Sequence, residues 1–185
     1  RLFGRSVAYP MAEGAVITLG LTSRLYEFPV GVFGIAVATA IFPALAKAAA
    51  DEGRFAELMR QGLRLTMFIG LPASAGLMLV RRPLATAIYA EAGALTADSA
   101  DRIAWVLLGY AAGVWAYSMN QLLTRTFYAR HDATSPMRIA LVMVVLNIAL
   151  NLGLIWLPIG GGERLGVAGL AWSTAICAVI QTVWL

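Results

Sequence analysis

The chain has 185 residues, of which 60% are hydrophobic and 13% are charged, and its mean hydropathy is +0.76. This composition excludes an ordinary water-soluble domain and is typical of integral membrane proteins. The formal net charge of +4 does not indicate a nucleic-acid partner, because the basic residues stand at the ends of apolar segments and form no patch interleaved with aromatic side chains. The sequence therefore predicts an all-α, multi-pass membrane bundle.

The chain opens with a segment, residues 1–22, that is predicted to be a connector or the end of a preceding helix. Its longest uncharged stretch is too short to cross a bilayer. The first spanning helix is predicted at about 23–50, because the residues from Phe28 to Ala46 are uncharged and long enough to cross most of a hydrocarbon layer of roughly 30 Å. Pro29, Gly31 and Gly34 are predicted to bend this helix and to let a neighbour approach closely.

Short polar loops separate the remaining predicted spans. The second span, at about 55–80, carries Pro72 as a predicted bend and ends at Arg81 and Arg82. The other spans are predicted at about 97–129, 136–157 and 165–185, and the bundle is expected to continue beyond the last residue. The basic loops at 47–64 and 125–138 are predicted to be cytoplasmic by the positive-inside rule.

A charged pair stands at the mouth of the first helix. Arg24 and Glu27 are three residues apart and therefore on one helix face, so an ion pair is predicted. An arginine in or near the hydrocarbon layer usually faces a water-filled cavity, a partner charge or an anionic substrate. Its planar guanidinium can bind two oxygens of a phosphate or pyrophosphate at once. The alternative is that Arg24 lies at headgroup level and pairs with Glu27 only to fix the topology.

Two amides lie one turn apart in the fourth helix, Asn147 and Asn151, and Ser173 and Thr174 lie at comparable depth in the fifth. Their oxygens could bind a sodium ion or take part in proton movement. The alternative is that these residues form hydrogen bonds between the two helices, which is the more common role of such residues in membrane proteins.

The sequence shows no constellation for enzymatic catalysis. No nucleophile has a plausible base, and the one histidine, His131, and the one cysteine, Cys177, cannot make a metal site together. His131 is predicted to be a solvated or loop-bonded residue and Cys177 a buried apolar one. No metal and no cofactor are expected.

Two stretches are specific enough to identify a family. They are RLYEFPVGVFGIAVATAIFPALAK, which begins at Arg24, and RTFYARHDATSPMRIA, which begins at Arg125. Both resemble signatures of the MurJ/MviN lipid II flippases, which belong to the multidrug/oligosaccharidyl-lipid/polysaccharide exporter superfamily. The break at Leu71 and Pro72 and the AGLA of 168–171 fit the same family.

The resemblance implies a two-lobed transporter around a central cavity, with this chain forming most of the second lobe. It implies a bacterial cytoplasmic membrane protein of peptidoglycan biosynthesis that flips the undecaprenyl-pyrophosphate-linked muropeptide, lipid II, to the outer leaflet by alternating access. Arg24 and Glu27 match the substrate-binding residues of the first signature, and further arginines would come from the other lobe.

Other readings stay open beside the resemblance. The protein could export another polyprenyl-linked saccharide or drugs, or it could be a membrane scaffold that transports nothing. Some family members have a sodium site with an acidic residue where this chain has Asn151. Coupling to the membrane potential or to protons therefore stays open beside coupling to sodium.

Overall fold

The structure is a computed structural model, and it describes residues 18–90, 97–154, 158–159, 163–164 and 166–185. Residues 1–17 of the predicted connector lie outside the described residues. Residues 18–22 of that connector are helical, so the first helix includes the last five residues of the predicted connector. The uncharged residues before Arg24 extend the helix, although they are too few to span a bilayer by themselves.

Five helices and one very short hairpin make up the described fold. The helices are α1 (Thr18–Lys47), α2 (Glu52–Ala85), α3 (Ala97–Ala129), α4 (Thr134–Leu154) and α5 (Gly166–Trp184). Strands β1 (Pro158–Ile159) and β2 (Glu163–Arg164) pair antiparallel between α4 and α5.

Helix α1 contains a π-helical segment at Val30–Ile35, which Pro29 directly precedes. Proline has no backbone N–H, so it removes one bond of the α-helical ladder, and π-helical turns within α-helices frequently occur at functional sites. The segment divides α1 into an N-terminal half that carries Arg24 and a C-terminal half that ends at Lys47. Pro43 lies inside that second half without ending the helix.

Helix α2 does not end at the double arginine, contrary to the prediction. It continues through Pro83 to Ala85 and then as a π-helical segment over Thr86–Ala90. A proline removes only one backbone hydrogen bond, and Arg81 is held on the helix because its Nη1 donates to the Met78 carbonyl at 2.9 Å. The residues from Arg81 to Ala90 are therefore the last part of the same helix.

Helix α3 is the centre of the bundle and contacts α1, α2 and α5. Its buried side chains follow the whole length of the helix and include Ile103, Leu107, Val114 and Leu122. Because protein surrounds α3, the helix can carry polar residues such as Ser118 and Asn120. Helix α4, by contrast, packs mainly against α5 and leaves a broad apolar face exposed.

Three helices are long and apolar enough to cross a membrane, judged by length and composition over the described residues. They are α1, α2 extended to Tyr89, and α4. The apolar part of α5, Ala168–Trp184, is shorter. The predicted all-α membrane fold is confirmed, and the two-residue strands do not alter it.

The two basic loops lie at the same end of the bundle. Leu45, Ala48, Phe55 and Ala129 form one buried cluster there, and the Arg130 guanidinium lies 4.2 Å from the centre of the Phe55 ring. Charge patterning had assigned both loops to the same side of the membrane. The cytoplasmic assignment itself stays a prediction.

The loop between α3 and α4 is closed by its own hydrogen bonds. His131 has φ 58°, in the left-handed region, where the His131 N–H donates to the Tyr128 carbonyl and the Asp132 N–H to the Phe127 carbonyl. Asp132 Oδ1 accepts from the backbone N–H groups of Thr134 and Ser135, both at 3.0 Å. His131 thus ends α3, and Asp132 begins α4.

Hydrogen bonds set the ionisation of Asp132. The pKa of the Asp132 carboxyl group is lowered, mainly because it accepts hydrogen bonds from the Ser135 side chain and the Ser135 backbone N–H. The Thr134 N–H and the charge of Arg138 add to the effect. The loop is a structural connection whose polar groups are satisfied.

Candidate functional site

Arg24 lies on the exposed surface of the described bundle. Its guanidinium forms no hydrogen bond and no ion pair with any residue that the structure describes. An arginine offers five N–H donors, so an unpartnered one in a membrane helix is available to an anionic ligand. The geometry gives Arg24 the chemistry to bind phosphate oxygens.

The predicted ion pair between Arg24 and Glu27 is wrong. Both side chains are exposed, and the ion pair found within the described part of the chain joins Arg82 to Asp101 at 3.9 Å. Spacing of three residues permits a pair, but pairs with the acid N-terminal to the base are the better oriented, and here the base comes first. Arg24 and Glu27 therefore stand as two separate charges on adjacent turns.

The depth of Arg24 follows from the length of α1. Arg24 and Lys47 are separated by roughly 34 Å along the helix at about 1.5 Å per residue. That distance is about the thickness of the hydrocarbon layer, so the two charges lie at opposite ends of a span. Arg24 is at the end of the bundle away from the two basic loops.

Packing places other charges at the same end. Leu21 and Leu25 pack against the buried cluster of α2 and α3 that includes Ala85, Tyr89 and Ile103. Close to this cluster in sequence are the exposed pair Arg82 and Asp101, and Arg81, whose guanidinium lies 5.8 Å from the centre of the Trp105 ring. Charged and aromatic side chains of this kind are typical of a membrane–water interface.

Three tyrosines of other helices contact α1 near Arg24. The Tyr89 hydroxyl donates to the Leu21 carbonyl at 3.0 Å. The Tyr26 ring stacks on Tyr110 with centroids 4.5 Å apart and an angle of 19° between the rings, and it lies 5.4 Å from Tyr117. The N-terminal half of α1 is thus attached both to the end of α2 and to α3.

The glycines that were predicted to bend α1 have different surroundings. A Cβ built on Gly34 would lie 2.9 Å from the Cα of Ser118, so α1 and α3 approach as closely as their backbones permit. A Cβ on Gly31 would meet nothing within 4 Å. The small residue is required at position 34, whereas position 31 lies on the open side of the π-helical segment.

Helix α2 passes through Pro72 without interruption. The contacts beside this proline are close: a Cβ on Gly70 would lie 3.1 Å from the Cα of Trp115, and the Trp115 backbone N–H donates to Ser74 Oγ at 3.0 Å. Pro72, at which a bend was predicted, therefore lies between two points of close contact between α2 and α3, one at Gly70 and one at Ser74.

The structure brings together the polar residues of α4 and α5. Asn151 Nδ2 donates to Asn147 Oδ1 at 3.0 Å, Asn147 Nδ2 donates to Cys177 Sγ at 3.7 Å, and Ser173 Oγ donates to Asn151 Oδ1. Thr174 instead donates to the Leu170 carbonyl of its own helix at 2.8 Å. These four residues, Asn147, Asn151, Ser173 and Cys177, are called the α4–α5 polar seam below.

Sequence reasoning did not find a second polar connection, between α3 and α5. Asn120 Nδ2 donates to the Ala178 carbonyl at 3.0 Å, and Thr182 Oγ1 lies 3.0 Å from Asn120 Oδ1. The signal for it was a lone asparagine within an apolar segment, which indicates a bond to another helix but does not name the partner. The tyrosines around Arg24 were likewise missed, since aromatic residues in a span usually indicate packing.

Comparison with known proteins gives the family. A sequence model of the family described as lipid II flippase MurJ matches residues 2–185. The chain belongs to the lipid II flippase MurJ family. The resemblance seen in its two signatures is thereby confirmed.

Relatives and a solved structure agree with the family model. The chain is 33% identical over 182 residues to a probable lipid II flippase MurJ of Vibrio cholerae, and 30% identical over 180 residues to that of Thermotoga maritima. Each alignment covers 97% of this chain, and 33% and 36% of the two relatives. A solved structure of lipid II flippase MurJ in an inward closed conformation matches 92% of the chain and 34% of its own length, with a TM-score of 0.79 and 25% identity. The chain thus spans about a third of the length of these relatives.

Proposed function

We propose that the protein flips lipid II from the inner to the outer leaflet of the bacterial cytoplasmic membrane by alternating access. It would do so as a transporter and not as an enzyme, in peptidoglycan biosynthesis. Membership of the lipid II flippase MurJ family supports this function. The described helices would form one wall of the transport cavity, and the remaining lobe would supply the facing wall.

The observation that carries the proposal is that the Arg24 side chain is exposed and has no partner among the described residues. The residue also stands in the family signature. Guanidinium and pyrophosphate match in charge and in geometry, because two N–H groups can donate to two oxygens in parallel. Arg24 would therefore bind the pyrophosphate of the lipid substrate.

Glu27 would have the opposite effect on the same ligand. Its carboxylate lies one turn from Arg24 and is not neutralised by it. A negative charge at this distance repels a bound anion, by an amount that depends on how much water screens the pair. We propose that Glu27 keeps the affinity low enough for the pyrophosphate to leave at the outer face.

The α4–α5 polar seam would serve to join two helices. The carbonyl oxygens of Asn147 and Asn151 already accept hydrogen bonds from within the seam. Oxygens used in this way support an interhelical bond more than a cation site. Sodium, protons and the membrane potential remain the three proposed sources of energy for transport, and the seam favours none of them.

The test replaces Arg24 in the full-length protein. In cells depleted of their own flippase, Arg24→Ala is expected to leave lipid II on the cytoplasmic face and to stop growth, while the protein reaches normal levels in the membrane. Arg24→Lys keeps the charge but loses the paired donors, and we expect partial activity.

Arg60→Ala is the matched control, because Arg60 is also exposed but lies near the basic loops at the other end of the bundle. Growth supported by Arg24→Ala at normal protein level would show that Arg24 does not bind the substrate.

A further inference from the structure

We propose that Tyr89 and Tyr26 are positioning residues for Arg24, which hold the N-terminal half of α1 at a fixed rotation about its axis. The inference rests on the proposed role of Arg24 in substrate binding. Neither tyrosine would touch the substrate, and their action on it would pass through Arg24. We call the contacts of these two tyrosines the tyrosine clamp.

The first contact of the tyrosine clamp is a hydrogen bond to the backbone. Tyr89 lies in the π-helical segment at the end of α2, and the residue is 9% exposed in the cluster that packs against Leu21 and Leu25. Its hydroxyl donates to the Leu21 carbonyl, one turn before Arg24. Tyr89 therefore fixes the turn of α1 from which Arg24 projects.

The second contact holds α1 from another direction. Tyr26 stacks on Tyr110 of α3 and lies against Tyr117. Successive residues of an α-helix are rotated by about 100°, so Tyr26 points away from Leu21 by roughly 140° around the axis. Two contacts on different sides of α1 fix the rotation of this half of the helix about its own axis, whereas one contact alone would not. Arg24 then projects on the side that neither attachment covers.

The π-helical segment explains why a local clamp is needed. It follows Tyr26 after three residues, over Val30–Ile35, and Pro29 removes one backbone bond at its start. A π-helical turn holds one more residue than an α-helical turn, so loss of the bulge would rotate one half of α1 against the other by about 100°. The close packing of Gly34 on Ser118 fixes the π-helical segment itself, and the buried cluster of Leu45 and Phe55 fixes the C-terminal half. The direction in which the Arg24 side chain projects thus depends on contacts made by the N-terminal half of α1.

The test measures binding of undecaprenyl pyrophosphate to the full-length protein in detergent, with a double-mutant cycle between positions 24 and 89. Tyr89→Phe keeps the ring and removes only the hydroxyl, and we expect binding to weaken about threefold to tenfold. In the Arg24→Ala background the same change should have no further effect, because Tyr89 acts through Arg24. Equal losses in both backgrounds, or no loss in either, would overturn the tyrosine clamp.

A second readout follows the position of residue 24 directly. A spin label on Arg24→Cys, in a full-length protein from which Cys177 and any other native cysteine have been removed, should become more mobile with Tyr89→Phe and with Tyr26→Leu. Tyr128→Phe is the control, because Tyr128 is 47% exposed at the other end of α3. A label whose mobility does not change with either variant would contradict the clamp, even if both variants lower thermal stability.

The two proposals fail in different ways. If Arg24→Ala leaves undecaprenyl pyrophosphate binding unchanged, the proposed function of Arg24 is wrong. If Arg24→Ala weakens binding but Tyr89→Phe does not, the role of Arg24 stands and the tyrosine clamp is wrong. Tyr26→Phe should behave as wild type in both assays, since it keeps the stacked ring.

Discussion

The α4–α5 polar seam and the N-terminal half of α1 use polar side chains in opposite ways. In the seam, Asn147, Asn151 and Ser173 bond to one another, and Ser173 is fully buried. On α1, Arg24 is exposed and bonds to nothing in the described part of the chain. Polar groups that satisfy each other stabilise a bundle, whereas a charged group left without a partner is available to a ligand.

Because of this difference, we expect substitutions in the two regions to affect different properties of the protein. Changes in the seam and at close helix contacts should lower stability and leave substrate binding intact. Changes at Arg24 and Glu27 should alter binding and leave stability intact. Each of the following substitutions tests whether the two regions separate in this way.

The largest effect on stability is expected from Gly34→Ala. The added Cβ would lie 2.9 Å from the Ser118 Cα, so two helices must move apart, at a cost of about 1 to 3 kcal/mol. Gly31→Ala is the matched control within the same segment, because its Cβ meets nothing, and we expect no loss. Unfolding in detergent measures both. Equal stability of the two variants would show that α1 and α3 are not packed as described.

A smaller loss of stability is expected from Asn151→Leu, because it removes a donor to Asn147 and an acceptor for Ser173. Hydrogen bonds between membrane helices contribute about 0.6 to 1.7 kcal/mol, and the variant should lose an amount in this range. Undecaprenyl pyrophosphate binding should not change. Leu152→Ala, at a side chain that is 65% exposed, is the control. Lost binding in a folded Asn151→Leu protein would assign the seam to the transport site.

Glu27→Gln is expected to change binding alone. Removing the negative charge beside Arg24 should tighten undecaprenyl pyrophosphate binding by about twofold to tenfold, since the repulsion is lost. Transport should become slower, because release is slower. Binding and transport can be measured on the same purified protein. Weaker binding in Glu27→Gln would mean that the carboxylate holds Arg24 in its binding position after all.

The smallest effect concerns pH and the loop between α3 and α4. The pKa of Asp132 is lower in the folded state than its ordinary value, so the unfolded chain takes up a proton first as the pH falls. The stabilisation is complete above about pH 4 and is lost as the pH falls through the folded pKa. Thermal unfolding of wild type and Asp132→Asn should therefore converge in acid. A constant difference at all pH values would exclude this linkage.

The sequence permits prediction of the helices but not of their contacts. Apolar length and charge located five helices, and the two signatures identified the family, because these are local features of the chain. The end of α2 was missed because Arg81, Arg82 and Pro83 usually stop a helix, whereas here Arg81 bonds to the helix itself and one proline is tolerated.

The candidate site was predictable only in part, for a physical reason. An arginine at the start of a spanning helix, within a family signature, identifies Arg24 from the sequence alone. Whether it pairs with Glu27 depends on side-chain directions, which spacing does not determine. The attachment of Leu21 to Tyr89 joins residues 68 apart in sequence, so no local pattern could have revealed it.

Binding of undecaprenyl pyrophosphate to the purified full-length protein tests the central claim most directly. We predict that Arg24→Ala weakens binding about 10-fold to 100-fold, as expected for loss of a charge-assisted pair of hydrogen bonds, while its unfolding transition stays that of wild type. Unchanged binding in folded Arg24→Ala protein would contradict the account.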